Sequence, residues 1–280
     1  MNRLLVLGAG TAGTMVVNKL RHRLDKAEWQ ITAVDESDRH FYQPGYLFIP
    51  FGGFTPDEVV KPRQRFIADG VGLVYGDVDR VDPDGNTVLL TDGRRLPYDY
   101  LAIATGVQPR PDQTRGMFDG GQWRKSIFDF YTYDGAVALA DALRRFDGGR
   151  LVVHIVDMPI KCPIAPLEFT FLADAWLRKR GMRNRVELVY ATPLPGAFTK
   201  PIASKRLGAM LDERKIALET DFMVERIEDK GIGPFSLLKE TRINHWGKLA
   251  FRWMYWNVLL PARPIPLPAH MSMAGKHPEE

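Results

Sequence analysis

The segment Gly8-Ala9-Gly10-Thr11-Ala12-Gly13 constrains the fold of this chain more than any other part of the sequence. It follows the apolar run Leu4-Leu5-Val6-Leu7, which predicts a buried strand over residues 3–7, and it precedes a helical pattern over residues 11–24. In that context G-x-G-x-x-G is typical of a dinucleotide site. The first glycine permits a tight turn, the second lets the backbone approach a pyrophosphate, and the third lets the helix pack closely on the strand. The N–H groups at the helix N-terminus would bind the phosphates.

Two acidic residues, Asp35 and Glu36, follow the second predicted strand, residues 30–34. Asp35 lies 22 residues after Gly13, where a carboxylate can accept hydrogen bonds from ribose hydroxyls. An aspartate at this position, in place of an arginine, argues against a ligand with a 2′-phosphate. The alternative is a glycine-rich turn without a ligand, but strand, helix and acid together favour dinucleotide binding. The motif itself does not distinguish FAD from NAD.

A second set of strands and helices follows the first. Strands are predicted over residues 150–156 and 185–191, helices over 165–180 and 204–214, and an extended segment over 218–227. Two βαβ units in tandem predict an α/β fold with two Rossmann-like, doubly wound units. The 280 residues, 45% of them apolar and 26% charged, suffice for two packed domains. We expect a dinucleotide-binding domain over residues 1–110, a second Rossmann-like domain over 111–229, and a C-terminal segment over 230–280.

The turn after the strand at residues 150–156 contains no glycine and carries the single cysteine of the chain, Cys162. A pyrophosphate could not approach this backbone closely, which argues against NAD(P)H as the electron donor. Cys162 follows Lys161 and precedes a predicted helix start, and both features favour the nucleophilic thiolate form. The alternative is a small buried cysteine that acts only in packing. A single cysteine excludes an intramolecular disulfide and fits a reducing compartment.

The last 51 residues carry the whole formal net charge of +4, because seven basic residues there face three acidic ones. Three of the six tryptophans also lie in this segment. Residues 235–260 show a helical pattern with Trp and Leu on one face and basic residues on the other, which indicates a helix in a membrane surface. Packing of this helix on the protein's own core and a homo-oligomer interface remain alternatives.

Nucleic-acid binding is not expected, since no known nucleic-acid motif accompanies the charge. No apolar run is long enough for a signal peptide or a transmembrane span.

Four segments in order resemble the sulfide:quinone oxidoreductase family, whose members are FAD-dependent flavoproteins. They are residues 42–46 (YQPGY), 98–106 (YDYLAIATG), 161–168 (KCPIAPLE) and 233–276. The resemblance implies that Cys162 binds sulfide-derived sulfur, that Glu168 accepts a proton, and that the tail associates with the membrane and with quinone. It further implies FAD as cofactor at the N-terminus, with a contact set of Gly8, Gly10, Thr11, Ala12, Gly13, Asp35, Glu36, Pro44, Ala104, Thr105 and Gly106.

The resemblance breaks at residues 228–230, where family members have a long additional segment with a Gly-Asp flavin contact and a partner cysteine. We therefore expect a peripheral membrane enzyme that oxidises sulfide to polysulfide sulfur and reduces a quinone, although a relay through two protein thiols cannot run on Cys162 alone. Two alternatives stay open at this point. One is a related NADH:quinone reductase, and the other is a truncated remnant that binds membrane without turnover.

Overall fold

The computed structural model describes residues 1–118, 120–224, 226 and 227, together with the backbone of residues 260 and 261. In chain order its strands are β1 (Asn2–Leu7), β2 (Trp29–Asp35), β3 (Arg39–Phe41), β4 (Val60–Pro62), β5 (Val71–Tyr75), β6 (Val78–Asp82), β7 (Thr87–Leu90), β8 (Arg95–Pro97), β9 (Tyr100–Ile103), β10 (Gly149–His154), β11 (Val186–Ala191), β12 (Ala217–Glu219) and β13 (Leu260–Pro261). Its α-helices are α1 (Thr11–Arg21), α2 (Tyr133–Arg145), α3 (Ala165–Lys179) and α4 (Pro201–Glu213).

The chain divides into two compact units. Unit 1 comprises Met1–His40, Pro62–Gly106 and the described residues 260 and 261, and unit 2 comprises Phe41–Lys61 and residues 107–227 except 119 and 225. Thus Phe41–Lys61, although it lies between β2 and β5 in the sequence, packs with the second unit. The domain boundaries expected at residues 110 and 229 stay predictions.

Unit 1 is built on a five-stranded sheet in the order β13-β9-β1-β2-β5, in which β9, β1, β2 and β5 are parallel. Strand β1 is central, and its residues Leu4–Leu7 are all buried, as the unbroken apolar run predicts for a parallel strand covered on both faces. Helix α1 packs against β1, β2 and β5. A separate antiparallel sheet, β6-β7-β8, has its β7–β8 hairpin at Asp92-Gly93.

Unit 2 is built on the parallel sheet β10-β11-β12, so the predicted second βαβ arrangement is confirmed. Helices α3 and α4 connect its strands, and its core includes the fully buried side chains Leu167, Leu177 and Leu188. Short 3-10 helices occupy much of Phe41–Lys61, at Gln43–Leu47, Ile49–Phe51 and Pro56–Val59.

One element was missed, and two expectations about single elements were wrong. Helix α2 was not predicted at all. The extended segment expected over residues 218–227 is a strand only over Ala217–Glu219, because the chain turns at Asp221, whose φ is 53°. Helix α1 ends at Arg21 and not at residue 24.

The predicted interfacial helix at 235–260 lies outside the described residues, apart from Leu260. Leu260 belongs to β13, which pairs antiparallel with β9. Among the helices of the described residues, none combines the length and apolarity that a membrane span requires.

Candidate functional site

The glycine loop between β1 and α1 forms the tight turn that the motif predicts. Gly8 has φ 87°, and a Cβ on it would lie 2.4 Å from the Ala104 carbonyl oxygen. A Cβ on Gly13 would lie 1.8 Å from the Gly8 carbonyl oxygen. Both glycines are therefore required by close approach within the protein itself. These contacts also bring the loop against Ala104 and Thr105, which follow β9 and belong to the implied FAD contact set.

Gly10 differs from these two glycines, because a Cβ on it would meet nothing within 4 Å. Gly10 is also the N-cap of α1, and the helix has no side-chain hydrogen bond at this cap. The space beside Gly10 and the uncapped N–H groups of the following turn, which includes Thr11 and Ala12, form a cradle for an anionic group. Its chemistry fits the pyrophosphate of a dinucleotide, and a side chain at position 10 would fill it.

Asp35 ends β2 beside this loop, as predicted for the acid of the motif. Its Oδ2 accepts a hydrogen bond from the Ala9 N–H at 2.7 Å. Its Oδ1 accepts hydrogen bonds from the Ser37 N–H at 3.2 Å and from the Arg63 guanidinium at 2.7 Å. A carboxylate offers about four acceptor positions, so Asp35 retains capacity for one ribose hydroxyl.

Other predicted FAD contacts are placed less closely. Glu36 is exposed. Gly106 adopts φ 74°, and a Cβ there would meet nothing within 4 Å. Pro44 is exposed in the 3-10 helix Gln43–Leu47, which belongs to unit 2. Unit 1 thus brings together the glycine loop, Asp35 and the Ala104-Thr105 turn. The roles assigned to Glu36, Pro44 and Gly106 stay predictions.

Two residues beside the glycine loop were missed by sequence reasoning. Arg63 is 4% exposed and donates hydrogen bonds to the Ala9 carbonyl and to Asp35. It lies 28 residues beyond Asp35 in the sequence, and no motif includes it. The His40 ring packs against Phe66 at a tilt of 35°, with the ring centroids 4.5 Å apart. Burial lowers the pKa of His40, and the positive charge of Arg63 lowers it further. The neighbourhood of the loop therefore favours neutral imidazole next to a fixed cation.

The turn between β10 and α3 presents Cys162 as an exposed free thiol. Its backbone is left-handed, with φ 53°, which is unusual for a residue other than glycine. The carbonyl of Cys162 accepts hydrogen bonds from the Ala165 N–H at 3.0 Å and from the Tyr131 hydroxyl at 3.3 Å. The alternative of a small buried cysteine is therefore excluded, because Cys162 is exposed.

Lys161 and Glu168 flank the cysteine. The Lys161 ammonium donates a hydrogen bond to the Gln43 side-chain carbonyl, and burial lowers the pKa of Lys161, while the nearby Cys162 opposes that change. Glu168 is exposed in the first turn of α3. The hydrogen bond between Lys161 and Gln43 connects residues 42–46 with the turn that carries Cys162.

Tyr131 is the residue of unit 2 that the sequence did not indicate. Burial raises its pKa, and the neighbouring acidic groups Cys162, Tyr190 and Glu168 raise it further, in that order. Tyr131 is therefore a neutral hydroxyl donor within electrostatic range of both the thiol and the carboxylate. Its position in the aromatic run at residues 128–133 is the only sequence signal that could have drawn attention to it.

A glycine-loop βαβ unit followed by a second parallel βαβαβ unit defines the class of FAD/NAD(P)-binding flavoprotein reductases. The chain belongs to the pyridine nucleotide-disulphide oxidoreductase family, whose pattern matches residues 2–154, more than half of the sequence. The expected fold class is thereby confirmed, and the family membership implies flavin binding by an oxidoreductase.

The similarity to sulfide:quinone oxidoreductases is also confirmed. The chain is 28% identical over 232 residues to the mitochondrial sulfide:quinone oxidoreductase of Dictyostelium discoideum, covering 82% of this chain and 50% of that protein. The crystal structure of the Aquifex aeolicus sulfide:quinone oxidoreductase matches with a TM-score of 0.71 and 21% identity, over 81% of this chain and 53% of that one. A type II NADH:quinone oxidoreductase of Staphylococcus saprophyticus is 25% identical over 118 residues, 42% of this chain and 29% of that protein. The chain spans about half the length of the curated relatives it matches first.

Proposed function

We propose that this chain is an FAD-dependent oxidoreductase that oxidises sulfide and reduces a membrane quinone, with Cys162 as the sulfur-binding residue. The observation that carries the proposal is the exposed thiol in a glycine-free turn, at the position where a second dinucleotide motif would otherwise lie. The names of the most similar relatives support the same reaction class. FAD, when bound, would supply a two-electron carrier between sulfide and quinone.

The residues of unit 1 fit the adenosine and pyrophosphate part of FAD. The glycine loop and the N-terminus of α1 would bind the phosphates, and Asp35 would accept a hydrogen bond from the ribose. By analogy with the family, the Ala104-Thr105-Gly106 turn of unit 1 would contact the flavin. The same analogy assigns a flavin contact to Pro44 of unit 2. The tail at residues 230–280 would bring the protein to the membrane surface and to quinone, and this surface could also support a homo-oligomer.

A single cysteine suffices for the chemistry if sulfide itself accepts the sulfur. In the first stage the Cys162 thiol, hydrogen sulfide and quinone give the Cys162 persulfide and quinol, so sulfide loses two electrons and quinone gains two electrons and two protons. In the second stage the hydrosulfide anion attacks the outer sulfur of the persulfide, which returns the Cys162 thiol and releases the hydrodisulfide anion. The Tyr131 hydroxyl and Lys161 would fix the turn that carries the thiol, and Glu168 would accept a proton from incoming hydrogen sulfide.

The test is a flavin spectrum and a quinone-reduction assay on the purified full chain. We expect oxidised-flavin absorbance, bleaching by sulfide, and sulfide-dependent reduction of a short-chain ubiquinone that Cys162→Ser abolishes. Met223→Leu removes an exposed sulfur atom elsewhere in unit 2 and should leave the rate unchanged. A protein that remains colourless and inert after FAD is added would defeat the proposal.

The same assay separates the other candidate, an NADH:quinone reductase, which the similarity to type II NADH:quinone oxidoreductases favours. In that case NADH, and not sulfide, would bleach the flavin, and Cys162→Ser would have no effect. The absence of glycine from residues 157–163 argues against this outcome.

A further inference from the structure

The Arg63 side chain makes four hydrogen bonds at and around the glycine loop. Its Nε donates to the Ser37 carbonyl at 2.8 Å, and its terminal nitrogens donate to the Arg39 carbonyl at 2.7 Å, to Asp35 Oδ1 at 2.7 Å and to the Ala9 carbonyl. The Arg63 main-chain N–H also donates to the Asp38 carbonyl at 2.7 Å. One guanidinium thus joins the glycine loop to the end of β2 and to the turn that follows β2.

The burial of this group argues that its position has a specific role. Arg63 is 4% exposed and its partner Asp35 is 13% exposed. A buried ion pair contributes little to stability compared with apolar side chains of the same size, so stability alone does not explain it. The planar fork of arginine can hold one carboxylate and several carbonyl groups at fixed angles, and lysine cannot.

The contact with Ala9 determines how the next N–H group is oriented. The Ala9 carbonyl accepts hydrogen bonds from Arg63 and from the Thr14 hydroxyl, the latter at 2.9 Å, so both of its acceptor positions are filled. In a trans peptide the carbonyl and the following N–H point in opposite directions. The Gly10 N–H therefore points away from Arg63.

We propose that Arg63 is a positioning residue for the dinucleotide site. It holds the Ala9 carbonyl and the Asp35 carboxylate, so that the Gly10 N–H and the free acceptor position of Asp35 are oriented for a pyrophosphate and its ribose before the ligand binds. This inference rests on the dinucleotide binding of the proposed function and adds to it the residue that preorganises the loop.

Arg21 provides a matched control in the same unit. It is 5% exposed and also donates to two main-chain carbonyls, Trp29 at 3.1 Å and Leu24 at 2.5 Å. Trp29 begins β2, whereas Asp35 ends it, so Arg21 lies at the opposite end of the strand from the glycine loop. Loss of either arginine removes a buried guanidinium, but only the loss of Arg63 should affect the loop.

The experiment compares Arg63→Gln, Arg63→Lys and Arg21→Gln in the full chain. The purified proteins are freed of bound nucleotide and titrated with FAD and with ADP, which carries the adenine, ribose and pyrophosphate of FAD without the flavin. We expect both ligands to bind Arg63→Gln about tenfold more weakly than wild type or worse, as for loss of a hydrogen bond to a charged group. Arg63→Lys should lie between the two, and Arg21→Gln should bind like wild type. Arg63→Lys also serves if Arg63→Gln does not fold.

Amide hydrogen exchange without ligand gives a second measurement that does not depend on binding. Peptides over residues 8–14 should exchange faster in Arg63→Gln and recover their protection when FAD is saturating, whereas Arg21→Gln should change only residues 20–30. Equal effects of the two variants on affinity and on exchange would overturn the inference. If wild type binds neither ligand, the proposed function fails, and the exchange comparison still decides whether Arg63 orders the loop.

Discussion

At the scale of single residues, the backbone of Cys162 is the most unusual feature of its turn. A φ of 53° costs a residue other than glycine roughly 1–2 kcal/mol, and such positions are concentrated at functional sites. We therefore expect Cys162→Gly to be about 1 kcal/mol more stable than Cys162→Ala, because glycine tolerates this region despite its more flexible unfolded chain. Urea denaturation of the two variants measures the difference.

Ala175 supplies the control for this comparison, since it is exposed within α3. There Ala175→Gly should lower the free energy of unfolding by about 1 kcal/mol, the usual cost of glycine inside a helix. The two alanine–glycine comparisons should therefore have opposite signs. If glycine is less stable than alanine at both positions, the backbone of Cys162 is not strained.

His154, the last residue of β10, should make stability depend on pH. Burial lowers its pKa to about 4, its Nε2 has no hydrogen-bond partner among the described residues, and its ring meets the edge of Phe222 at 5.5 Å. As the pH falls below about 6.5 the unfolded chain takes up a proton that folded His154 does not, so stability falls until the pH reaches about 4.

The substitution His154→Phe should remove this dependence. Between pH 7 and pH 5 the wild-type protein should lose about 2 kcal/mol more of its free energy of unfolding than the variant. Chemical denaturation at pH 7, 6 and 5 gives the comparison. Curves for the two proteins that run parallel over this range would show that His154 is protonated in the folded state as readily as in the unfolded one.

At the scale of secondary-structure elements, one buried carboxylate connects α3 with the segments around it. The Asp174 side chain, 4% exposed, pairs with Arg183 at 2.7 Å and with Arg178 at 2.9 Å. Arg183 is 14% exposed and also donates to the carbonyls of Val186, Arg214 and Lys215, whereas Arg178 is 53% exposed. The two arginines thus share a partner and differ in burial.

This pair allows an internal comparison. Arg183→Met should lower the free energy of unfolding by roughly 3 kcal/mol, because it leaves a buried carboxylate and three carbonyls with fewer donors. Arg178→Met should cost less than about 1 kcal/mol, since water screens an exposed pair. Thermal and urea unfolding of both variants test the difference, and equal losses would contradict the importance given to burial.

The elements that sequence reasoning identified are those whose pattern is local. Strand β1 is an unbroken apolar run and α1 follows a recognisable glycine motif, so β1 and the start of α1 were predicted to within one residue. Helix α2 was missed because two of its buried positions, Gly135 and Ala136, are too small to mark an apolar stripe. The start of α2 could have been predicted, because threonine is a favoured N-cap residue. In the structure the Thr132 hydroxyl accepts a hydrogen bond from the Gly135 N–H at 3.0 Å.

The candidate site divides in the same way. Gly8, Gly13, Asp35 and Cys162 were predicted because each belongs to a short motif with a physical reason for its spacing. Arg63 and Tyr131 were missed because their partners lie far along the sequence: Ala9 is 54 residues from Arg63, and Cys162 is 31 residues from Tyr131. Contacts of this kind are made by the tertiary fold and leave no periodic signal.

At the scale of the whole molecule, charge is distributed unevenly along the chain. The formal net charge is +4, and residues 230–280 account for all of it, so residues 1–229 are neutral overall. A basic segment rich in tryptophan should bind anionic lipid, with each basic residue near the surface contributing about 1 kcal/mol. We therefore expect the full chain to float with vesicles that contain phosphatidylglycerol and not with vesicles of phosphatidylcholine alone.

Two charge reversals locate the source of that binding. Lys248→Glu with Arg252→Glu should reduce flotation by more than tenfold, because four units of charge are removed from the predicted polar face of the tail. Lys205→Glu with Arg206→Glu makes the same charge change on exposed residues of α4 and should have a much smaller effect. Binding to anionic vesicles should also weaken as the NaCl concentration rises from about 0.05 to about 0.5 M, since the Debye length falls below about 5 Å. Equal losses in the two double variants would mean that net charge, and not the tail, brings this protein to the membrane.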